Sequence, residues 1–123
     1  MASPLGPKSM DKLKGVHADL VRVVKRAIRL SEVDFIVTEG VRSPEKQAIL
    51  VKAGASKTMN SRHLTGHAVD LAAMVNGEAR WDWPLYHKIA AAMKQAALDE
   101  DVVIEWGGDW RTFKDGPHFQ LPW

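Results

Sequence analysis

The sequence contains no cysteine among its 123 residues. Disulfide bonds, cysteine-type zinc fingers, thiol catalysis and iron–sulfur clusters are therefore excluded. A bound metal ion must instead be held by histidine, aspartate or glutamate. Long apolar runs are also missing, and none approaches the roughly 20 residues that are needed to span a bilayer. We therefore expect no stable insertion into a membrane.

The N-terminus lacks the uninterrupted apolar stretch of a secretory signal. Residues 1–12 mix prolines, a glycine and lysines, and we expect this segment to be flexible. The absence of a signal predicts a chain made in the cytoplasm. The formal net charge is only +2, and the basic residues are dispersed along the sequence. A nucleic-acid partner is not expected, because such proteins concentrate positive charge on one face with stacking aromatic residues.

The length of the chain fits one domain. A chain of 123 residues buries about two-thirds of the surface that it exposes when unfolded, so one modest core is sufficient. We expect a single domain over residues 1–123, with no second module.

Apolar residues recur at helical spacing in three segments, which predicts three helices. The first is amphipathic, covers about residues 16–28 and carries arginine and lysine on its outer side. The second begins at Ser43-Pro44-Glu45, which offers an N-cap, a first-turn proline and an acid suited to the helix dipole. It should stop at Gly54. The third begins at Pro84 and is interrupted at Asp99-Glu100-Asp101.

Short β-prone runs occupy much of the rest of the chain. They cover residues 35–37, 68–75, 78–81, 102–106 and 118–121, and residues 55–62 predict an exposed loop. Asn76-Gly77, between the second and third runs, is a strong hairpin signal. Helices followed by interleaved strands are typical of the α+β class. We expect a small antiparallel sheet with about three helices packed around it.

Potential metal ligands are concentrated in one segment and one distant residue. Ser61-Arg62-His63-Leu64-Thr65-Gly66-His67-Ala68-Val69-Asp70 places a histidine and an aspartate seven apart, and His118 follows far downstream. Two neutral imidazoles and one carboxylate suit Zn²⁺ and leave a fourth position for water, as in catalytic zinc sites. The ordinary alternative is that these histidines are surface or core groups, as isolated histidines in small domains usually are.

His63 and His67 have the i,i+4 spacing of a helical zinc site. Gly66 and the β-prone residues that follow argue against a helix there. On a strand, Asp70 shares its face with Ala68 and Ala72, while His67 lies on the other face. We therefore interpret His67 as a neighbour of the site rather than as a ligand.

The spaced pattern Ser-x-His-x-x-Gly-x-Ala-x-Asp at residues 61–70, followed by Asp-x-Pro-His-Phe at residues 115–119, resembles the LAS-type zinc peptidases. This family includes D-alanyl-D-alanine carboxypeptidases and dipeptidases of the VanY and VanX kind. It also includes phage endolysins that hydrolyse the L-alanyl-D-glutamate bond. The resemblance extends from about Val16 to Leu121.

The resemblance implies three ligands for one zinc ion: His63, Asp70 and His118. It places the general base at Asp115, where many relatives have glutamate and the phage endopeptidases have aspartate. Glu105 and Asp109 are the competing candidates for the base. The implied fold is of the LAS/Hedgehog type, with the zinc site in a cleft.

The segment Gly40-Val41-Arg42-Ser43-Pro44-Glu45-Lys46-Gln47 resembles the family's Gly-x-Arg-Ser-x-x-x-Gln element. This implies that Arg42 binds substrate, because its planar guanidinium can hold a carboxylate or a carbonyl by two parallel hydrogen bonds. A solvated arginine at a helix start is the alternative. Gln47 and Ser61 are expected to be polar groups that line the same cleft.

Five tryptophans accompany a single tyrosine. We expect most of them to pack in the core, while some could form walls of the cleft. The stretch from Trp106 to Trp110 resembles a Trp-Gly-Gly-Asp-Trp segment of the phage enzymes, which implies a position at the rim near the metal. His17 and His87 fall in predicted helices and are interpreted as structural.

The resemblance favours a phage endolysin that cuts the L-alanyl-D-glutamate bond of peptidoglycan stem peptides. A D-alanyl-D-alanine carboxypeptidase or dipeptidase is the alternative, although no export signal is visible. We expect a monomer without a cell-wall-binding module that reaches the wall after release by a holin. A zinc-binding domain without catalysis, as inferred for Hedgehog domains, is a third possibility, and Asp115 at the base position argues against it.

Overall fold

The computed structural model describes residues 5–56 and 58–122. The expectations for residues 1–4, for Lys57 in the predicted loop and for Trp123 therefore lie outside the described residues. In chain order the helices and strands are α1 Pro7–Lys12, α2 Ala18–Leu30, β1 Asp34–Glu39, α3 Pro44–Lys52, β2 Ala68–Val75, β3 Glu78–Arg80, α4 Trp83–Glu100, β4 Glu105–Trp106 and β5 His118–Gln120. Two short 3₁₀ helices cover Arg62–Thr65 and Gly107–Asp109.

The strands form one antiparallel sheet with β2 at its centre. Its order is β1-β2-β5-β4, and β3 pairs with the far end of β2. Three of the helices, α2, α3 and α4, have nine residues or more. The predicted α+β class with a small antiparallel sheet and about three helices is thus confirmed. Among the described residues, no helix combines the length and apolar character that crossing a membrane requires.

Alternation along β2 separates its side chains onto two faces. Val69, Leu71 and Ala73 join the core formed with apolar residues of α2 and α4. Asp70 lies on the opposite face. In the antiparallel register of β2 and β5, His118 is directly opposite Asp70, so these two side chains point the same way.

The signals for helix ends and for the hairpin are confirmed. The Ser43 hydroxyl caps α3 by accepting a hydrogen bond from the Lys46 N–H, and α3 ends before Gly54. Asn76 and Gly77 both have positive φ angles, 52° and 80°, as a tight hairpin turn between β2 and β3 requires.

The segment expected to be flexible, residues 1–12, includes residues 7–12, which the structure assigns to a helix. These residues form α1, which begins at a proline. Ser9 is only 3% exposed, and its hydroxyl accepts a hydrogen bond from the Val37 N–H at 3.0 Å. The six-residue helix is too short to show an apolar period, but it is held against β1 by this buried contact.

The predicted strand over residues 102–106 is shorter than expected, because only Glu105–Trp106 pairs with β5. Asp101 adopts a left-handed conformation that ends α4. The Val102 N–H then donates back to the Ala97 carbonyl. Residues 102–104 therefore connect the helix to the sheet instead of extending the strand.

Gly66 allows the backbone around Gly15 to pack directly against the segment that carries His63. Its φ angle is +76°, and a Cβ atom there would lie 2.4 Å from the Gly15 carbonyl oxygen. The Gly66 carbonyl also accepts a hydrogen bond from the His17 N–H at 2.8 Å. Only glycine satisfies both the conformation and the contact.

We predict that Gly66→Ala lowers the free energy of unfolding by about 2–5 kcal/mol, which combines left-handed backbone strain with overpacking. The matched control is Gly54→Ala, because Gly54 also has a positive φ, +78°, but has no atom within 4 Å of the added Cβ. The control should lose only about 1–2 kcal/mol. Urea denaturation measures both values, and equal losses would contradict the role of the Gly15 contact.

Candidate metal centre

Two histidines converge on the carboxylate of Asp70. Its Oδ1 atom lies 3.2 Å from Nε2 of His63 and 3.3 Å from Nδ1 of His118. Burial raises the pKa of Asp70, but hydrogen bonds with His118 and His63 outweigh it and hold this pKa well below its usual value. The carboxylate is therefore charged wherever the protein is folded near neutral pH.

His63 is oriented by its place in a short helix and by one backbone carbonyl. It lies in the 3₁₀ helix Arg62–Thr65, and its Nδ1 atom lies 2.9 Å from the Gly40 carbonyl oxygen. Because a carbonyl oxygen only accepts, Nδ1 carries the proton of this contact. In the neutral ring, Nε2 then presents its lone pair to Asp70.

His118 is oriented by a chain of two side chains. The Gln120 amide donates from Nε2 to a carboxylate oxygen of Glu105 at 2.7 Å, which directs its Oε1 atom to Nε2 of His118 at 2.8 Å. His118 therefore donates from Nε2 and, when neutral, presents the lone pair of Nδ1 to Asp70. Partners of this kind fix the tautomer of histidines that bind metals.

The spacing of the two imidazole nitrogens from Asp70 fits a tetrahedral metal ion. With both imidazoles neutral, two nitrogen lone pairs and a carboxylate oxygen face one another, and a cation between them is needed to offset their repulsion. Ligands about 2.0–2.1 Å from one ion at tetrahedral angles lie roughly 3.3 Å apart. The two distances to Asp70, 3.2 and 3.3 Å, match this spacing. Within the described residues, His63, Asp70 and His118 are the group that could hold a metal ion.

Protons compete with a metal for the same place. Burial lowers the pKa of His118, but its hydrogen bond with Asp70 and the negative charge of Asp70 raise it overall above the usual value. A metal ion must displace this proton to bind, so acidic conditions oppose loading of the site.

Asp115 lies in the loop that leads to His118. Its N–H donates to the Gly107 carbonyl at 3.0 Å, and a Cβ atom at Gly107 would lie 2.3 Å from the Asp115 carbonyl oxygen. Burial and the negative charge of Asp70 raise the pKa of Asp115 above its usual value, although His118, His63 and Arg42 oppose this. Asp70 and Asp115 are thus two neighbouring carboxylates whose pKa values are displaced in opposite directions.

The two competing acids have other partners. Glu105 accepts the hydrogen bond from Gln120. The Asp109 carboxylate pairs with the Lys94 ammonium group at 2.8 Å. The Asp109 side chain is 57% exposed and the Lys94 side chain is 50% exposed. Asp115 differs from both, because its carboxyl group interacts with the charges of Asp70, His118 and His63. The assignment of the base to Asp115 remains a prediction, and these contacts support it.

Arg42 is positioned beside Asp70, with Nη2 of its guanidinium 3.9 Å from Oδ2. Its Nε and Nη2 atoms contact a carboxylate oxygen of Glu39, and Nη1 donates to Oε1 of Gln47 at 2.7 Å. These contacts use three of the five N–H groups. Each terminal nitrogen therefore keeps one N–H that neither Glu39 nor Gln47 uses.

Gln47 and Ser61 have contacts that position other residues. Gln47 is fully buried, and its Nε2 atom donates to the Ser56 hydroxyl and the Thr58 carbonyl while its oxygen holds Arg42. The Ser61 hydroxyl accepts a hydrogen bond from the His63 N–H at 3.2 Å. Their predicted contact with substrate stays a prediction, and the structure adds a supporting role for each.

The other histidines lie outside the group that could hold a metal. Nδ1 of His67 lies 2.8 Å from the Thr65 hydroxyl, and its ring lies 5.4 Å from the ring of His17. His17 caps α2 by accepting from the Asp19 N–H, and the ring of His87 lies 5.2 Å from that of Trp106. The interpretation of His67 as a neighbour agrees with this placement.

The expectation that most tryptophans pack in the core is wrong for the four that the structure describes, of which one lies in the core. Trp106 is 4% exposed and belongs to the core, whereas Trp81 and Trp83 are 53% and 42% exposed. The ring of Trp110 lies 5.2 Å from that of His118, beside the candidate metal centre. The segment from Trp106 to Trp110 thus borders the site, as the resemblance implied.

The sequence reasoning missed Gln120 and Glu39, and it considered Glu105 only as a candidate base. Gln120 follows His118 by two positions on a strand, so a period of two could have identified it as a neighbour on the same face. Glu105 is opposite Gln120 in the sheet, and Glu39 is opposite Asp70. No local sequence signal predicts those strand registers.

We predict that Gln120→Leu lowers the affinity for Zn²⁺ by about 10–100-fold, because His118 loses the acceptor that fixes its tautomer. Glu105→Gln should have a smaller effect, since Gln120 keeps its oxygen. Competition titration against a chromophoric chelator measures both affinities. If Gln120→Leu bound Zn²⁺ with wild-type affinity, His118 would not need Gln120 to fix its tautomer.

Comparison with known proteins gives a consistent family assignment. The profile of the family described as phage L-alanyl-D-glutamate peptidase matches residues 1–121. The L-alanyl-D-glutamate peptidase of Escherichia phage T5 is 30% identical over 119 residues, which cover 94% of this chain and 87% of that protein.

Two solved structures share the fold. The L-Ala D-Glu endopeptidase ChiX of Serratia marcescens is 52% identical, with a TM-score of 0.91 over 94% of this chain and 87% of that one. The D,D-dipeptidase VanXYg is 20% identical, with a TM-score of 0.57 over 86% of this chain and 50% of that one, and this likeness concerns the fold. The chain belongs to the phage L-alanyl-D-glutamate peptidase family.

Proposed function

We propose that this protein is a zinc endopeptidase that hydrolyses the bond between L-alanine and D-glutamate in peptidoglycan stem peptides. The observation that carries the proposal is the convergence of His63, Asp70 and His118 at tetrahedral ligand spacing. The names of the related phage T5 and ChiX proteins specify the bond. Zinc is favoured over other divalent ions because the donor set is two imidazole nitrogens and one carboxylate.

A divalent ion held by these three residues would supply the Lewis acidity that activates water for attack on an amide. Asp115 acts as the general base and accepts the proton of the attacking water. Its raised pKa lets it hold that proton and then donate it to the departing amine of D-glutamate.

Arg42 binds the peptide next to the reacting carbonyl. Glu39 and Gln47 occupy three of its N–H groups and hold the guanidinium in place, which leaves one N–H on each terminal nitrogen for the substrate. A side chain fixed in this way loses little conformational entropy when substrate binds. The same charge can attract the α-carboxylate or side-chain carboxylate groups of the stem peptide.

From the phage relatives we propose that the enzyme degrades the host cell wall and so leads to lysis of the host cell. The enzyme reaches the wall from the cytoplasm after release by a holin and acts there as a monomer, with no nucleic acid as partner. Hydrolysis of the D-alanyl-D-alanine bond has weaker support, because the dipeptidase relative shares the fold at low identity.

Digestion of purified sacculi identifies the bond. We expect mass spectrometry to find peptides with a new N-terminal D-glutamate, together with glycan strands that keep L-alanine. A chelator should abolish their release, and added Zn²⁺ should restore it. Release of D-alanine alone would instead identify a carboxypeptidase, and no new products would favour a zinc-binding domain without catalysis.

We predict different failures for two substitutions at the site. His63→Ala should lose both bound zinc and hydrolysis. Asp115→Asn should keep one zinc per chain but lower kcat by about 10²–10⁴-fold, the usual contribution of a general base. Metal analysis and product release are measured on the same samples. Wild-type kcat in Asp115→Asn would transfer the base to Glu105 or Asp109.

A further inference from the structure

Trp83 presents an aromatic ring to solvent although two of the rings that it contacts are buried. It is 42% exposed and is the first residue of α4. Its ring contacts those of Tyr86, His87 and Trp106, with centroids 5.5, 6.1 and 6.4 Å away. Tyr86 and Trp106 are only 6% and 4% exposed. Trp83 is therefore the outer member of an aromatic cluster whose inner members belong to the core.

These contacts hold the exposed ring in one orientation. Tyr86 meets it at an interplanar angle of 87°, and Trp106 meets it at 58°. By contrast, Trp81 is 53% exposed and has no ring contact with another aromatic residue among residues 5–56 and 58–122. A fixed aromatic surface binds a ligand without the cost of ordering a side chain.

The aromatic cluster is continuous with the loop that carries the proposed base. Gly116 follows Asp115 and packs against Tyr86 so closely that a Cβ atom would lie 2.3 Å from the Tyr86 ring. The indole N–H of Trp106 donates to the Gly116 carbonyl at 2.7 Å. Trp83 contacts both of these rings. One layer of side chains therefore separates the exposed ring from the backbone next to Asp115.

The chemistry of the substrate requires a sugar close to the reacting bond. In peptidoglycan the amino group of L-alanine is joined to the lactyl group of an N-acetylmuramic acid residue. The scissile carbonyl of L-alanine is thus about two residue lengths, roughly 7 Å, from a pyranose ring. The C–H faces of such rings are apolar and pack on exposed aromatic surfaces.

We propose that Trp83 forms a subsite for the N-acetylmuramic acid ring that carries the stem peptide. The subsite deepens the proposed function and rests on it. The glycan strand then contributes to recognition, so the enzyme prefers peptides that are still attached to sugar over free peptides. The ion pair between Arg80 and Asp82, beside Trp83 in the chain, offers polar groups for the sugar hydroxyls.

The test compares two substrates that differ in the sugar. One is the free tetrapeptide that begins with L-alanine and D-glutamate. The other is the same tetrapeptide attached to its disaccharide, left unreduced so that the muramic acid ring stays closed. The zinc-loaded wild-type protein, Trp83→Leu, Trp83→Phe and Leu98→Ala are assayed for kcat/KM on both. Leu98 is the control because it is 77% exposed on the same helix.

Trp83→Leu should lower kcat/KM for the sugar-bearing peptide by roughly fivefold, in the range of a single aromatic contact. The kcat/KM of this variant for the free peptide should stay within about twofold of the wild-type value. Trp83→Phe should retain most of the preference for the sugar, and Leu98→Ala all of it. An equal loss on both substrates, or no loss on either, would overturn the sugar subsite while leaving the peptidase activity in place. A wild-type protein that hydrolyses neither substrate would overturn the proposed function together with the subsite.

Discussion

The pairing of β2 with β5 places His118 opposite Asp70, and the remaining features of the site depend on this register. A shift of one residue would turn His118 into the core and bring Phe119 to the site face. Phe119 is 1% exposed and lies opposite Val69 on the core face, so burial of its ring opposes such a shift. The hydrophobic core thus fixes the geometry of the proposed metal ligands Asp70 and His118, because both depend on the same alternation.

Electrostatics divides the roles of the two carboxylates in the site. Asp70 lies between two imidazoles that keep it charged, whereas Asp115 is buried near that charge and binds its proton more tightly than a free aspartate does. A ligand must remain charged, and a base must exchange a proton, so each displacement of pKa suits the role that we propose for that residue. Gly107 and Gly116 keep Asp115 close by allowing contacts that any side chain would block.

The sequence predicts the elements of this fold better than the contacts between them. Periodicity and turn residues located α2, α3, α4 and the β2–β3 hairpin, because local signals determine those elements. Helix α1 was missed because its stability comes from tertiary contacts of Ser9. The proposed ligands were predicted from the spaced motifs that carry the family resemblance. The hydrogen bonds that link Glu105 through Gln120 to His118 depend on pairing between distant strands, which a single sequence does not reveal.

X-ray absorption at the zinc edge of the protein loaded with one equivalent of Zn²⁺ tests the metal centre most directly. The geometry of His63, Asp70 and His118 predicts two imidazole nitrogens with oxygen ligands in a four-coordinate shell at about 2.0–2.2 Å. A shell of oxygen atoms alone, or one with a single imidazole, would contradict the convergence of these three residues on one ion.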